Sequence, residues 1–124
     1  MPVLPPIFTS YPELTSISAA NTSLREISAS SFTNSKNLQT MILRIGLITT
    51  LKDGTFKECE SLKNLQITSH KISIIEPQAF LGLKNLTSLY LIDNLLTSIH
   101  PDAFGTLPRL NYVVLSKKQL TTLD

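Results

Sequence analysis

Apolar positions in this chain keep step with one another every 24 residues. The five phenylalanines stand at Phe8, Phe32, Phe56, Phe80 and Phe104, and every gap is 24. The same step links Ile17, Met41, Leu65, Leu89 and Val113, and likewise Ala19, Leu43, Ile67, Leu91 and Leu115. Further columns run Leu14, Leu38, Leu62, Leu86, Leu110 and Val3, Ile27, Leu51, Ile75, Ile99, Leu123. No insertion breaks the register. Within one unit the apolar spacing is neither the 3.6 period of a helix nor a sustained alternation, so the unit is a coil that turns inward repeatedly. Leu89 and Leu91, with outward positions between and beside them, predict a short strand with alternate side chains facing the core. One strand per unit follows. The segments "PQAF" at 77 and "PDAF" at 101 predict turns leading into an irregular or single-turn helical stretch on the opposite side, because proline's fixed φ suits the start of a turn.

The unit from Leu86 to Leu107 reads LxxLxLxxNxLxxIxxxAFxxL. On that motif the chain resembles the leucine-rich repeats, in the 24-residue form of extracellular Toll-like and adhesion receptors. The resemblance implies an α/β fold: a curved solenoid with a parallel sheet on its concave face, an irregular or short-helical convex side and a phenylalanine spine. It also implies that Asn94 sits buried at the bend after the strand, its amide bonded to backbone groups of adjacent coils. Its column departs from the motif elsewhere, reading Thr22, Gly46, His70 and Lys118. Thr22 is expected to bond a neighbouring backbone group, Gly46 to permit an unusual backbone geometry, and Lys118 to reach solvent. His70 reads as a histidine satisfied by backbone groups, in preference to a metal ligand. The chain divides as one domain over 1–124: partial repeat 1–13, repeats 14–37, 38–61, 62–85 and 86–109, and partial repeat 110–124.

Composition narrows the function. The net charge is +2 and 16% of residues are charged, so the sequence shows no footprint for nucleic acid. No apolar run is long enough to span a bilayer, and no secretory leader is visible at Met1. Nothing in the sequence assembles a nucleophile with a base, a metal set or a phosphate loop, so neither catalysis nor a cofactor is expected. Cys59, the sole cysteine, reads as a semi-buried apolar filler. Both ends fall at one phase of the repeat without a legible cap, which reads as a fragment of a longer array or a product that covers its ends by self-association. Asn21 and Asn85 begin the N-glycosylation acceptor triplets NTS and NLT. The repeat type points to an extracellular or cell-surface protein; a true start at Met1 would instead mean the cytoplasm.

The function expected is recognition. The outward strand columns are Ser16, Thr40, Asn64, Ser88, Tyr112; then Ser18, Ile42, Gln66, Tyr90, Val114; then Ala20, Arg44, Thr68, Ile92, Ser116. Tyr90, Ile92, Tyr112 and Val114 form an apolar patch of the composition found at interface hot spots, with Ile42, Arg44 and Ile45 a smaller second one. The surface reads as nearly neutral, fitting a protein or peptide partner of weak charge. The alternative is a spacer with no ligand of its own, which the small Ser and Thr face of the first units suits.

Overall fold

The structure, a computed structural model, describes residues 3–96, 98–100, 102–104, 107–115 and 122–123. Nine strands occur among them: β1 (Ser16–Ala20), β2 (Thr40–Arg44), β3 (Thr50–Leu51), β4 (Asn64–Thr68), β5 (Ile74–Ile75), β6 (Ser88–Leu91), β7 (Ser98–Ile99), β8 (Tyr112–Leu115) and β9 (Thr122–Leu123). The main sheet is parallel, in the order β1-β2-β4-β6-β8. Its register is the sequence period itself: Ser16 pairs with Thr40, Thr40 with Asn64, Asn64 with Ser88 and Ser88 with Tyr112. Each strand therefore presents the same phase of the unit to the same face, and the coils stack as a solenoid.

The inward columns close the core. Met41, Leu43, Leu65, Ile67, Leu89 and Leu91 are buried behind the sheet, and Ile27, Leu51 and Ile75 are buried across from them. The phenylalanine spine belongs to the same core. Successive ring centroids are 6.2, 5.5, 6.2 and 6.1 Å apart from Phe8 to Phe104, within the range of attractive aromatic pairs. The first four rings are fully buried, while Phe104 is half-buried.

Two sequence expectations need correction. The convex side carries strands as well: β3 pairs with β5 and β7 with β9, each two residues long, so each coil is not limited to one strand. Such short elements have no periodicity to reveal them, and β-branched residues at Thr50, Ile74 and Ile75 favour extended backbone there. Among the described residues the helical component is the single 3₁₀ turns Ile7–Thr9 and Ala29–Phe32, in keeping with the expected single-turn helical stretch. Val113, expected inside, is 37% exposed, because among the described residues no strand covers the far edge of β8.

The backbone bends at a fixed phase after β1, β2, β4 and β6. Asn21, Ile45, Ser69 and Asp93 all adopt left-handed conformations, with φ of 53°, 61°, 57° and 56°. Asparagine, serine and aspartate tolerate this region through local polar contacts, whereas a β-branched isoleucine does not. Ile45 is thus strained, and its side chain is 49% exposed.

Candidate recognition face

Five parallel strands hold three outward columns on the concave side. The pairing Tyr90↔Val114 and Ser88↔Tyr112 brings the expected patch together. Tyr90 and Tyr112 meet edge to face with centroids 5.6 Å apart, Tyr112 being 52% exposed and Tyr90 half-buried. Ile92, just past β6, is 38% exposed, and Val114 is half-buried. Ile42, half-buried, and exposed Arg44 stand on β2, apart from this patch. Asn64 and Gln66 of β4 lie between, Gln66 Nε2 donating to Asn64 Oδ1 at 3.4 Å. The face is therefore a tyrosine-centred apolar patch on β6 and β8 and a mixed Ile42–Arg44 area on β2, divided by an amide strip.

The bend column supports the face from beneath. Asn94 does what the resemblance implied: its Nδ2 donates to the Ile67 carbonyl at 2.9 Å and its Oδ1 accepts from the Ile72 N–H at 3.1 Å. His70 substitutes for half of this. Its Nδ1 accepts from the Ile48 N–H at 3.3 Å, the equivalent bond one coil earlier, and that acceptance places the neutral ring's proton on Nε2. Nε2 has no partner, so the expected full satisfaction by backbone groups fails at one atom. Burial pushes the imidazole below its ordinary pKa; the Leu43 backbone carbonyl, which does not reach hydrogen-bond geometry with Nε2, opposes this only in part. With the Nδ1 lone pair committed to Ile48, the ring does not offer that atom to a metal.

Gly46 requires a further correction. Its backbone lies outside the left-handed region, so conformational freedom is not why glycine stands there. The reason is space. A β-carbon at 46 would stand 2.8 Å from His70 Nδ1, 2.9 Å from Thr22 Oγ1 and closer still to His70 Cε1. The imidazole is larger than the asparagine amide and fills the room that a side chain at 46 would take. Lacking a side chain at 46, the Leu24 N–H bonds Thr22 Oγ1 of its own coil at 3.4 Å, while that hydroxyl donates to the Ile45 carbonyl at 3.4 Å. Thr22 thus behaves as expected; Lys118 lies outside the described residues.

The two glycosylation triplets differ in setting. Asn21 is exposed on its left-handed bend. Asn85 is half-buried, its Nδ2 donating to the Glu60 carbonyl at 2.8 Å, as Asn37 Nδ2 does to the Pro12 carbonyl at 3.0 Å two coils earlier. Cys59 is fully buried where semi-burial was expected, with Sγ 3.4 Å from Ser35 Oγ, and burial raises its thiol to about 11. Beside β1 an apolar recess of about 320 Å³ is lined by Leu4, Ala19, Thr22, Ser23 and Leu24. It exists because Ala19 is small where Leu43, Ile67 and Leu91 fill the same column. Among the described residues no cluster of three His, Cys, Asp or Glu is placed to hold a metal.

One property of the face escaped the sequence reading because charges were counted along the chain and not by phase. The sheet half of each unit runs from two residues before the leading leucine to the end of the bend. Among the described residues it carries six cations, Lys36, Arg44, Lys63, Lys71, Lys84 and Arg109, against three acids, Glu13, Glu60 and Asp93. All nine are exposed. The back half carries five acids, Glu26, Asp53, Glu58, Glu76 and Asp102, against Arg25, Lys52 and Lys57. The near-neutral total conceals a solenoid that is positive on its sheet side and negative behind.

With the repeat register, the spine and the bend column in place, the family match is decisive: a BspA-type leucine-rich repeat region, in six copies, covers residues 5–124. The chain belongs to the leucine-rich repeats. At the sequence level no curated protein matches it. Solved structures share its fold. A TLR13–ssRNA13 complex superposes with a TM-score of 0.75 at 20% identity over 98% of this chain. The Drosophila Toll–Spatzle complex in its glycosylated form superposes with a TM-score of 0.61 at 21% identity over 100% of this chain. This leucine-rich repeat chain spans only 21% and 23% of those two chains, about a fifth of their length. The family and the fold support an interaction module of a typically non-catalytic kind. No helix among the described residues is long and apolar enough to cross a membrane.

Proposed function

We propose that this chain is a non-catalytic recognition repeat whose concave sheet binds a protein or peptide, as part of an extracellular or cell-surface array of the innate-immune or adhesion type. One observation carries the reading. Tyr112 is 52% exposed and packed edge to face on Tyr90, on a sheet face that no other element covers among the described residues. Tyrosine offers large contact area with few torsions to immobilise and a hydroxyl for orientation, which is why it anchors interfaces. The fold neighbours are consistent with it. One is in a complex with Spatzle, and the other with ssRNA13, so the sequence-based exclusion of nucleic acid has no support from them. The exposed small residues Ser16, Ser18 and Ala20 of β1 favour a spacing role for the first coils, with contact concentrated on β6 and β8.

The test is a screen of purified extracellular proteins with the biotinylated chain, followed by titration of any partner against variants. Tyr90→Ala and Tyr112→Ala should each weaken binding by about 1–3 kcal/mol. Ile74→Ala, on the opposite side and 55% exposed, should leave it unchanged. A partner that responds to Ile74 and ignores both tyrosines would place recognition on the convex side and end this reading.

A further inference from the structure

The bend that follows β2 is tied to the coils on both sides of it. Ile45 N–H donates to the Thr68 carbonyl at 2.9 Å and Gly46 N–H to the Ser69 carbonyl at 3.2 Å, both on the β4 coil, while Leu47 N–H donates to the Leu24 carbonyl at 2.7 Å on the β1 coil. The Ile48 N–H alone in this run is held by a side chain, His70 Nδ1 at 3.3 Å. An imidazole accepts at Nδ1 only while it is neutral, since in the protonated ring both nitrogens are donors. A charged ring would thus aim Nδ1–H at the Ile48 N–H, and its Nε2–H has no acceptor in the closed bend. Nor is a counter-charge at hand. His70 is 4% exposed, and among the described residues no carboxylate lies in ion-pair range of it. The charged residues on the bends packed around it are Arg44 on the β2 coil, Lys71 next to it in the chain and Asp93 on the β6 coil, all exposed, while positions 20–24 of the β1 coil carry no charge. The same bend holds Ile45 at a φ of 61°. Such a conformation persists only while its surroundings impose it.

We propose that His70 is a proton-operated latch: when the buried ring takes up a proton it stops accepting from Ile48, the 45–48 bend parts from the β4 coil, and Ile45 leaves its left-handed conformation. The next junction stays closed, because the Ile72 N–H is held by the Asn94 amide, which does not titrate. In the open bend the imidazole meets water and takes up a proton at its ordinary value of 6.5, whereas in the closed bend burial resists the charge. Opening therefore grows as pH falls below 6.5, by up to about tenfold per pH unit, until the closed ring itself titrates. Acid loosens the Ile42–Arg44 end of the sheet face and leaves the Tyr90–Tyr112 patch in place.

The experiment is amide hydrogen exchange on the isotopically labelled full chain at about pH 7.5 and about pH 5, read as protection relative to the unfolded chain so that the pH dependence of intrinsic exchange cancels. Between the two conditions the protection of the Gly46 and Ile48 amides should fall at least about fivefold more than that of Ile72. The loss should level off where the His70 ring resonances show the native imidazole titrating. In His70→Asn the Ile48 amide should lose no more protection than Ile72, and the ring titration of the unaltered chain keeps the test valid should that variant fold poorly. Equal losses at Ile48 and Ile72 would overturn the latch, since acid would then act on the whole fold. A loss confined to Ile48 that survives in His70→Asn would overturn it in favour of another titrating group, and undiminished protection at Ile48 would overturn it outright.

Discussion

Replacing Gly46 by alanine separates steric coupling from ordinary glycine chemistry. The new methyl would press on the His70 ring and on Thr22 Oγ1, which lies 2.9 Å from the ideal β-carbon position. The ring is hemmed in, since His70 is 4% exposed and its Nδ1 is held by the Ile48 N–H. Overpacking of this kind costs about 1–3 kcal/mol. The companion change His70→Asn removes the ring and installs the amide seen at Asn94, which engages both its polar atoms. Bonding a buried donor that is now unpaired gains about 1–3 kcal/mol, set against roughly 1 kcal/mol of lost ring burial. In the His70→Asn background only the Thr22 contact remains, so Gly46→Ala should cost less, under about 1 kcal/mol, giving a coupling of up to about 3 kcal/mol. The assay is urea denaturation followed by circular dichroism for the four members of the cycle. An equal cost of Gly46→Ala in both backgrounds would refute the steric account. The same variants report a pH effect with a defined sign. The native imidazole is held neutral by burial, so below the ordinary value of 6.5 the unfolded chain takes up a proton that the folded chain refuses. Stability should fall as pH drops through that window, by at most about 1.4 kcal/mol per unit, and His70→Asn should lack this component. Parallel pH profiles for the two proteins would refute it.

Three further predictions follow from the packing. Ile45→Asn relieves a β-branched residue at φ 61° whose side chain buries little, so stability should rise by about 1 kcal/mol in the same urea assay; a loss would show that exposed Ile45 makes contacts worth more than its strain. Phe56→Ala, at the middle of the spine, should cost about 3–5 kcal/mol, and a circular dichroism melt unchanged by it would contradict the stacked core. Cys59, buried and with its thiol raised to about 11, should resist a thiol reagent such as DTNB at neutral pH until denaturant is added; rapid labelling of the native chain would mean the coil opens there.

What the sequence shows and what it conceals divide on physical lines. Every pairing in the main sheet was readable, because a period of 24 without insertion leaves one register that keeps all inward columns apolar. Phe8 to Phe104 were readable for the same reason. The two-residue strands β3 and β5 were not, since periodicity needs length. Nor was the strain at Ile45, because left-handed backbone is normally signalled by glycine or asparagine, and here only its column mates Asn21, Ser69 and Asp93 carry that signal. Gly46 was misread as a conformational glycine, although His70 stands one period away in the same column and two unusual residues in adjacent coils invite a joint explanation. On the candidate face, Tyr90, Ile92, Tyr112 and Val114 were found from their columns. The cation excess of the sheet half shows only when charges are sorted by their place in the unit.

The unbroken register bears on how such an array changes length. Duplication or loss of one whole unit returns every strand to an equivalent partner, so the fold itself sets no barrier to growth or shortening. The nested bend at Thr22, Gly46 and His70 is different, because it joins neighbouring units by shape. Excising the coil that holds Gly46 would set the His70 ring directly on the Thr22 side chain, and inserting a coil with asparagine after Gly46 would leave a void. That junction is a fixed seam in an otherwise interchangeable stack, and rearrangement of the array is expected to proceed on either side of it while the two coils travel as a pair.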